Sequence, residues 1–249
     1  MRRIDAVRER GAVQRNATSG PRVRAGLWVA GVAGVAGPVI FTVTFLVLER
    51  LRSGEFSPVE QPVSALEAGP YGWVQQSSFV VFGLLTLIFA IGLHRCLRPS
   101  RRGIAGPALL GVSGVALLLA AAIPLRQDAA GQVYDPGGHI VAGSAFFAAS
   151  AVGLVVLSRR IASDPAWSGL AHWTLAAGLT CVLTFIAMRL GAIPEEAPLH
   201  EWVGLMQRAT IMLALFPMRV ALSLRLLQLG RGPQRPSGGR TAKSAARDT

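Results

Sequence analysis

Six uninterrupted apolar blocks decide what this chain can become. They run approximately over residues 26–48, 73–93, 104–125, 140–157, 170–188 and 202–224. Blocks of about 18 or more apolar residues read as membrane-crossing helices. At ~1.5 Å per residue each can traverse a hydrocarbon core of ~30 Å, the fourth only just. Lipid offers no partners to unpaired backbone groups, so a helix is the form in which such a block crosses. Composition agrees: 51% of the 249 residues are hydrophobic and 15% charged, against roughly 25% charged in soluble proteins. The expectation is an all-α polytopic membrane protein, with six transmembrane helices in an antiparallel bundle joined by short connectors. That domain covers residues 26–228; the polar, basic tails at 1–25 and 229–249 read as disordered. The chain shows no internal repeat.

A net charge of +12 invites a nucleic-acid reading, and its distribution argues against one. Basic residues crowd the tails and the second and fourth connectors: Arg95, Arg98, Arg101, Arg102, Arg159 and Arg160. The other connectors hold only Arg50, Arg52, Arg126 and Arg189. This is the positive-inside pattern, which predicts cytoplasmic N and C termini in a multi-pass protein of the plasma membrane. Basic tails then lie against anionic lipid head groups, and membrane lipids are the expected partners. No aromatic-basic motif supports nucleic acid. The first apolar block is too long for a secretory signal, and Arg2-Arg3 is too far from it for a twin-arginine one. Cys96 and Cys181 supply no disulfide framework.

The first connector, SPVEQPVSALEAGPYGWVQQ, is unusually patterned. Ser57-Pro58-Val59-Glu60 is a capping box with proline at the first helical position, and Ser64-Ala65-Leu66-Glu67 repeats the box. Pro62 and Gly69-Pro70 are the stops. Tyr71 and Trp73 suit a membrane interface. The stretch reads as two short helical turns forming an ordered cap over the outer mouth of the bundle; a connector that merely faces water is the other reading.

The longer run SPVEQPVSALEAGPYGWVQQSSFVVFGLLTL resembles the signature of an uncharacterised prokaryotic membrane family, the domain of unknown function 998. The features that carry the resemblance are Ser57, Pro58, Ser64, Gly69, Pro70, Trp73, Phe79 and Gly83. DPGGHIVAG before the fourth helix and GLMQRA in the sixth are also similar to that family. The resemblance covers roughly residues 25–228. It implies a bacterial six-helix membrane protein and no particular activity.

Few polar groups stand at membrane depth. Arg208 and Arg219 each lie about two turns from the nearer end of the sixth block. Arg219 is expected to snorkel to the nearer interface. Arg208 points toward the carboxylate-rich outer side, where Glu67 and Asp135 are its expected partners. Asp135-Pro136 reads as the N-cap and first residue of the fourth helix. His139, four residues on, could have its imidazole oriented by that carboxylate. His200 opens the sixth helix beside Glu195, Glu196 and Glu201.

These residues define one candidate ligand site, Arg208, Glu67, Asp135, His139 and His200, suited to a lipid head group or small anionic solute. A membrane-embedded metal-dependent hydrolase using Asp135, His139 and His200 is the alternative, and a small transporter the second. No H-x-x-x-H, H-E-x-x-H or cysteine pair is present, so no metal ligand, cofactor or catalytic residue is assigned. A homo-oligomer stays open as a further partner.

Overall fold

The computed structural model describes residues 20–97, 103–193 and 196–231. Most of both tails, the arginines at 98, 101 and 102, and Glu195 lie outside them, and with them the expectation of disordered tails. The helices are α1 (Pro21–Leu51), α2 (Gly72–Cys96), α3 (Ala105–Ala122), α4 (His139–Ala162) and α5 (Ala171–Gly191). The sixth span is composite. A 3-10 turn (His200–Trp202) leads into α6 (Val203–Ala209), a π-helical segment (Thr210–Leu215) and α7 (Phe216–Arg231). Six of these segments are long and apolar enough to cross a membrane, and the expected helical bundle is present.

The boundaries differ from those read off hydropathy. Residues 21–25 and 229–231, assigned to the tails, are helical. Pro21 sits in the first turn of α1, where its missing N–H costs nothing. At its other end α1 continues to Leu51, because Glu49 and Arg50 end the apolar block but not the helix. α3 stops at Ala122, since Pro124 disfavours helix at Ile123. Just before Pro217 the last span widens into the π-helical segment. Proline lacks the N–H that the carbonyl four residues earlier would accept, and a wider turn absorbs the mismatch.

Each helix packs along its neighbour in sequence, α7 returns along α1, and the π segment meets α5, so the six spans close into a ring. Gly34 of α1 faces Ser223 and Phe89 with no room for a Cβ, which lets the first and last spans touch backbone to side chain. The small residues Ala30 and Gly34 on α1 and Ala149 and Gly153 on α4 are buried, whereas Ala145 is exposed. Inside the ring, Phe41 contacts Phe45, Phe79, Phe82 and Phe216 at centroid distances of 5.1 to 6.0 Å. Cys96 and Cys181 are buried and unbridged.

One end of the ring, called here the cap end, carries the first, third and fifth connectors. The third contains a two-stranded antiparallel hairpin, β1 (Arg126–Gln127) with β2 (Val133–Tyr134).

Candidate functional site

The first connector is an ordered cap. Ser57–Gln61 forms one turn closed by Gln61 N–H donating to the Ser57 carbonyl at 2.9 Å. The Ser57 hydroxyl accepts from Glu60 N–H at 3.4 Å. The second box is not used as the sequence suggests. Its 3-10 helix spans Val63–Glu67, starts at Pro62 and has no side-chain cap. Glu67 turns inward instead of back to its own first turn. Gly69, at φ 81°, ends the element where the Gly-Pro stop was expected. Tyr71 and Trp73 are exposed.

Three contacts staple the cap to α6. Val63 N–H donates to Gln207 Oε1 at 2.7 Å. Leu205 N–H donates to the Val59 carbonyl at 2.9 Å. Arg208 Nη1 donates to the Gln61 carbonyl at 2.8 Å. Gly204 makes this possible, because any Cβ there would collide with the carbonyl oxygens of Gln61 and Pro58. From the other side Arg52, buried just past α1, donates to the Ala68 carbonyl at 2.7 Å.

Arg208 does not meet Glu67 or Asp135. It pairs with Glu49: Nε and Nη2 both donate to Glu49 Oε1, at 2.8 and 2.6 Å. Nη1 also donates to the Gly204 carbonyl at 2.9 Å. Both side chains are about nine-tenths buried, and the guanidinium stands 5.6 Å from the Phe56 ring. The correction has a simple cause. The extra turn of α1 carries Glu49 up beside α6, whereas Glu67 and Asp135 are engaged elsewhere. Glu49 lies four residues after Phe45 and eight after Phe41, on the buried stripe of α1, so helical periodicity could have found it.

Glu67 and His139 form the second buried pair, with Glu67 Oε2 3.2 Å from His139 Nδ1. That nitrogen also lies 3.1 Å from the carbonyls of Ala120 and Ile123. Three oxygens around Nδ1 hold the proton there, and Nε2 is the nitrogen left for a ligand. Burial pushes the Glu67 carboxyl up to about 8, with the Leu125 N–H at 3.4 Å pulling weakly the other way. Asp135 was expected to orient His139 and does not touch its ring. The expected N-cap is displaced: α4 begins at His139 with Gly138 at its N-cap and Pro136 outside the helix, and Asp135 instead braces the approach, Oδ1 accepting from Gly137 and His139 N–H and Oδ2 from Ile140 N–H. Its slight burial favours the protonated form, but these three donors and nearby His139 prevail and lower its pKa. His200 Nδ1 lies 3.0 Å from the Ala192 carbonyl. Among the described residues no three His, Cys, Asp or Glu side chains are grouped to hold a metal.

Beneath the cap lies a cavity of about 410 Å³. Its floor is aromatic, formed by Phe41, Phe79, Phe82, Phe146 and Phe216. Its rim is polar and includes Glu60, Asp135, His139, Arg189, His200 and Gln207. Asp135, His139 and His200 therefore converge on one space. Arg208 does not line it, and Glu67 reaches it only through His139. On α4 and α5 the wall includes the partly or fully exposed side chains Ile140, Ser144, Phe147, Phe185 and Arg189.

Arg219 departs from expectation altogether. It does not snorkel; it is buried in the bundle interior. Its Nη1 donates to Thr86 Oγ1 at 2.6 Å and Nε to the Gly34 carbonyl at 3.2 Å. Phe82 and Phe89 lie 4.8 and 5.0 Å from it. Its position two turns from the helix end suggested an escape route. Its face, shared with Leu215, Leu222 and Leu226, points inward and removes that route.

The family model described as Protein of unknown function (DUF998) matches residues 35–223. That span holds α2 to α6 whole, part of α1 and of α7, the cap and every residue of the site, and the chain belongs to this family. No curated protein and no solved structure matches it.

Proposed function

We propose that the protein binds a lipid-like amphiphile in the capped cavity. The observation that carries this reading is the cavity itself: about 410 Å³ of mostly apolar space with an aromatic floor and a polar rim, the usual format of a small-molecule site. An acyl or isoprenoid chain fits the phenylalanine floor. A polar head meets His139 Nε2, Gln207, His200 and Arg189. The partly exposed wall on α4 and α5 supports entry from the bilayer. Arg208 serves this reading indirectly, by holding the roof. The basic asymmetry of the sequence supports cytoplasmic termini in the plasma membrane, with the cap outside.

Gly143 provides the test. It lines the cavity, and a Cβ there would meet nothing within 4 Å. Gly143→Phe should fill the space without strain and, by replacing a helical glycine, should not lower stability. Lipid co-purifying with the wild type, read by native mass spectrometry from detergent, should be lost from this variant while Tm holds. Equal lipid retention in both would remove the proposal.

A second reading, a hydrolase acting on such an amphiphile, has one observation in its favour. His139 lines the cavity, and Glu67 and two carbonyls hold its proton on Nδ1 so that Nε2 is left unprotonated, as a general base requires. Turnover of a bound lipid ester or amide that disappears in His139→Gln would support it; binding without turnover leaves the binding protein.

A further inference from the structure

Three nitrogens on the wall of the capped cavity are set by the backbone around them. A carbonyl only accepts, so Ala120 and Ile123 hold the proton on His139 Nδ1, and Ala192 holds it on His200 Nδ1. Nε2 of each neutral ring is then an acceptor. Gln207 is fixed in the opposite sense. Its Oε1 takes the Val63 N–H at 2.7 Å, which leaves the two N–H bonds of Nε2 to donate. None of these three Nε2 atoms has a partner among the described residues, and none is sealed off by protein. All three residues line the cavity. His139 is only 3% exposed, so the cavity is the open space its Nε2 reaches.

Charge and volume narrow what can sit there. Arg208, the cation on which an anionic head would depend, does not line the cavity. Arg189 does, but it is exposed and shares the rim with Glu60 and Asp135, so no excess of positive charge stands there. A phosphate or carboxylate head would give up its water with no buried cation to replace it, which is costly. An ammonium head fares no better. Glu60 is exposed to water, and Asp135 already accepts three backbone N–H bonds. A hydroxyl matches the three nitrogens: it donates to an imidazole, accepts from the Gln207 amide, and so replaces the bonds it made to water. Volume sets the rest. At about 30 Å³ per water-sized group, some 410 Å³ hold on the order of 14 non-hydrogen atoms. That is one chain with a small head; a two-chain lipid does not fit.

We propose that the cavity takes a single-chain amphiphile with an uncharged, hydroxylated head, of the monoacylglycerol kind, whose hydroxyls bond His139, His200 and Gln207. This names the ligand class of the amphiphile site proposed above and rests on that reading.

The test places the full chain in phosphatidylcholine nanodiscs with one probe at a time, all at equal mole fraction. The probes are monodecanoylglycerol, decanoylglycerol phosphate, decylamine and the two-chain didecanoylglycerol, and native mass spectrometry counts the bound molecules. Monodecanoylglycerol should exceed each of the others in occupancy by roughly tenfold or more. His200→Leu should lower its occupancy about 3–10-fold, the loss of one neutral hydrogen bond, and leave that of decylamine unchanged. Should His200→Leu fail to fold, the wild-type selectivity decides alone. Preference for the phosphate or the amine, equal binding of all single-chain probes, or equal binding of didecanoylglycerol overturns the proposal. If that binding is still lost in Gly143→Phe, the amphiphile reading survives. Occupancy by every probe that is the same in the wild type and in Gly143→Phe overturns both.

Discussion

Arg208 and Arg219 are buried on the same helical span eleven residues apart, and the protein accommodates them in opposite ways. Arg208 is met by a carboxylate and two carbonyls, with Glu49 Oε1 as near as 2.6 Å. Arg219 is met by one carbonyl, one hydroxyl and two phenyl faces. The first arrangement joins three pieces of chain: the end of α1, the cap and α6. The second joins α1, α2 and α7 in the middle of the ring and fixes no loop. A paired buried charge is a connector, and its loss exposes the partner. An unpaired one is a local burden that its neighbours dilute.

The largest expected effect breaks the connector. Arg208→Met strands the Glu49 carboxylate and should cost about 3–5 kcal/mol, as should Glu49→Leu, which strands the guanidinium. The double variant should be less damaged than either single one, because both charges are gone. Thermal unfolding of the four proteins gives the coupling; additive losses would mean that the two side chains act separately. Gly204→Val attacks the same junction without touching charge. Its side chain would drive against the Gln61 and Pro58 carbonyls, and overpacking of this kind costs about 1–3 kcal/mol. An unchanged Tm would show that the cap can ride away from α6 freely.

At the other arginine the expected loss is smaller. Arg219→Met gives up two hydrogen bonds and the contacts with Phe82 and Phe89 but also removes a costly charge, so it should change stability by no more than about 1–2 kcal/mol. A loss as large as that of Arg208→Met would erase the contrast between the two sites.

The effect at Glu67 differs in kind and appears only as a pH slope. Burial holds its carboxyl at about 8 in the fold against an ordinary 4.5, so the folded chain binds this proton more tightly than the unfolded one. The contribution is fully present below the ordinary value and is lost as pH rises through about 8. Tm of the wild type should therefore carry a downward component between pH 5 and pH 8.5. Glu67→Gln, neutral throughout, should remove that component; parallel curves would place the charged form in the fold.

Much of this architecture was legible in the sequence. The spans were, because lipid admits little besides a helix of sufficient length. Asp135 was legible in part: its bonds are local, to groups two to five residues on, but the helix begins at His139 and not at Pro136. The Arg208–Glu49 pair was not, since its partners are 159 residues apart and hydropathy ended the first span just before Glu49. Glu67 was read as half of a capping box, whereas its orientation is set by His139 and Leu125 from other parts of the chain. Arg219 was misjudged by depth alone. The repeat Gly204, Arg208, Ile211, Leu215, Arg219, Leu222, Leu226 advances by three or four residues and shows both arginines on one face. That spacing was available without coordinates.

The central claim is that a cap, stapled to α6 through Arg208, roofs the cavity. Amide hydrogen exchange in nanodiscs reads it residue by residue. The account predicts slow exchange at Val63 and Leu205, whose N–H groups are bonded to Gln207 and Val59. Both should become fast in Arg208→Met while α3 and α4 stay protected. Fast exchange at these two amides in the wild type would contradict it.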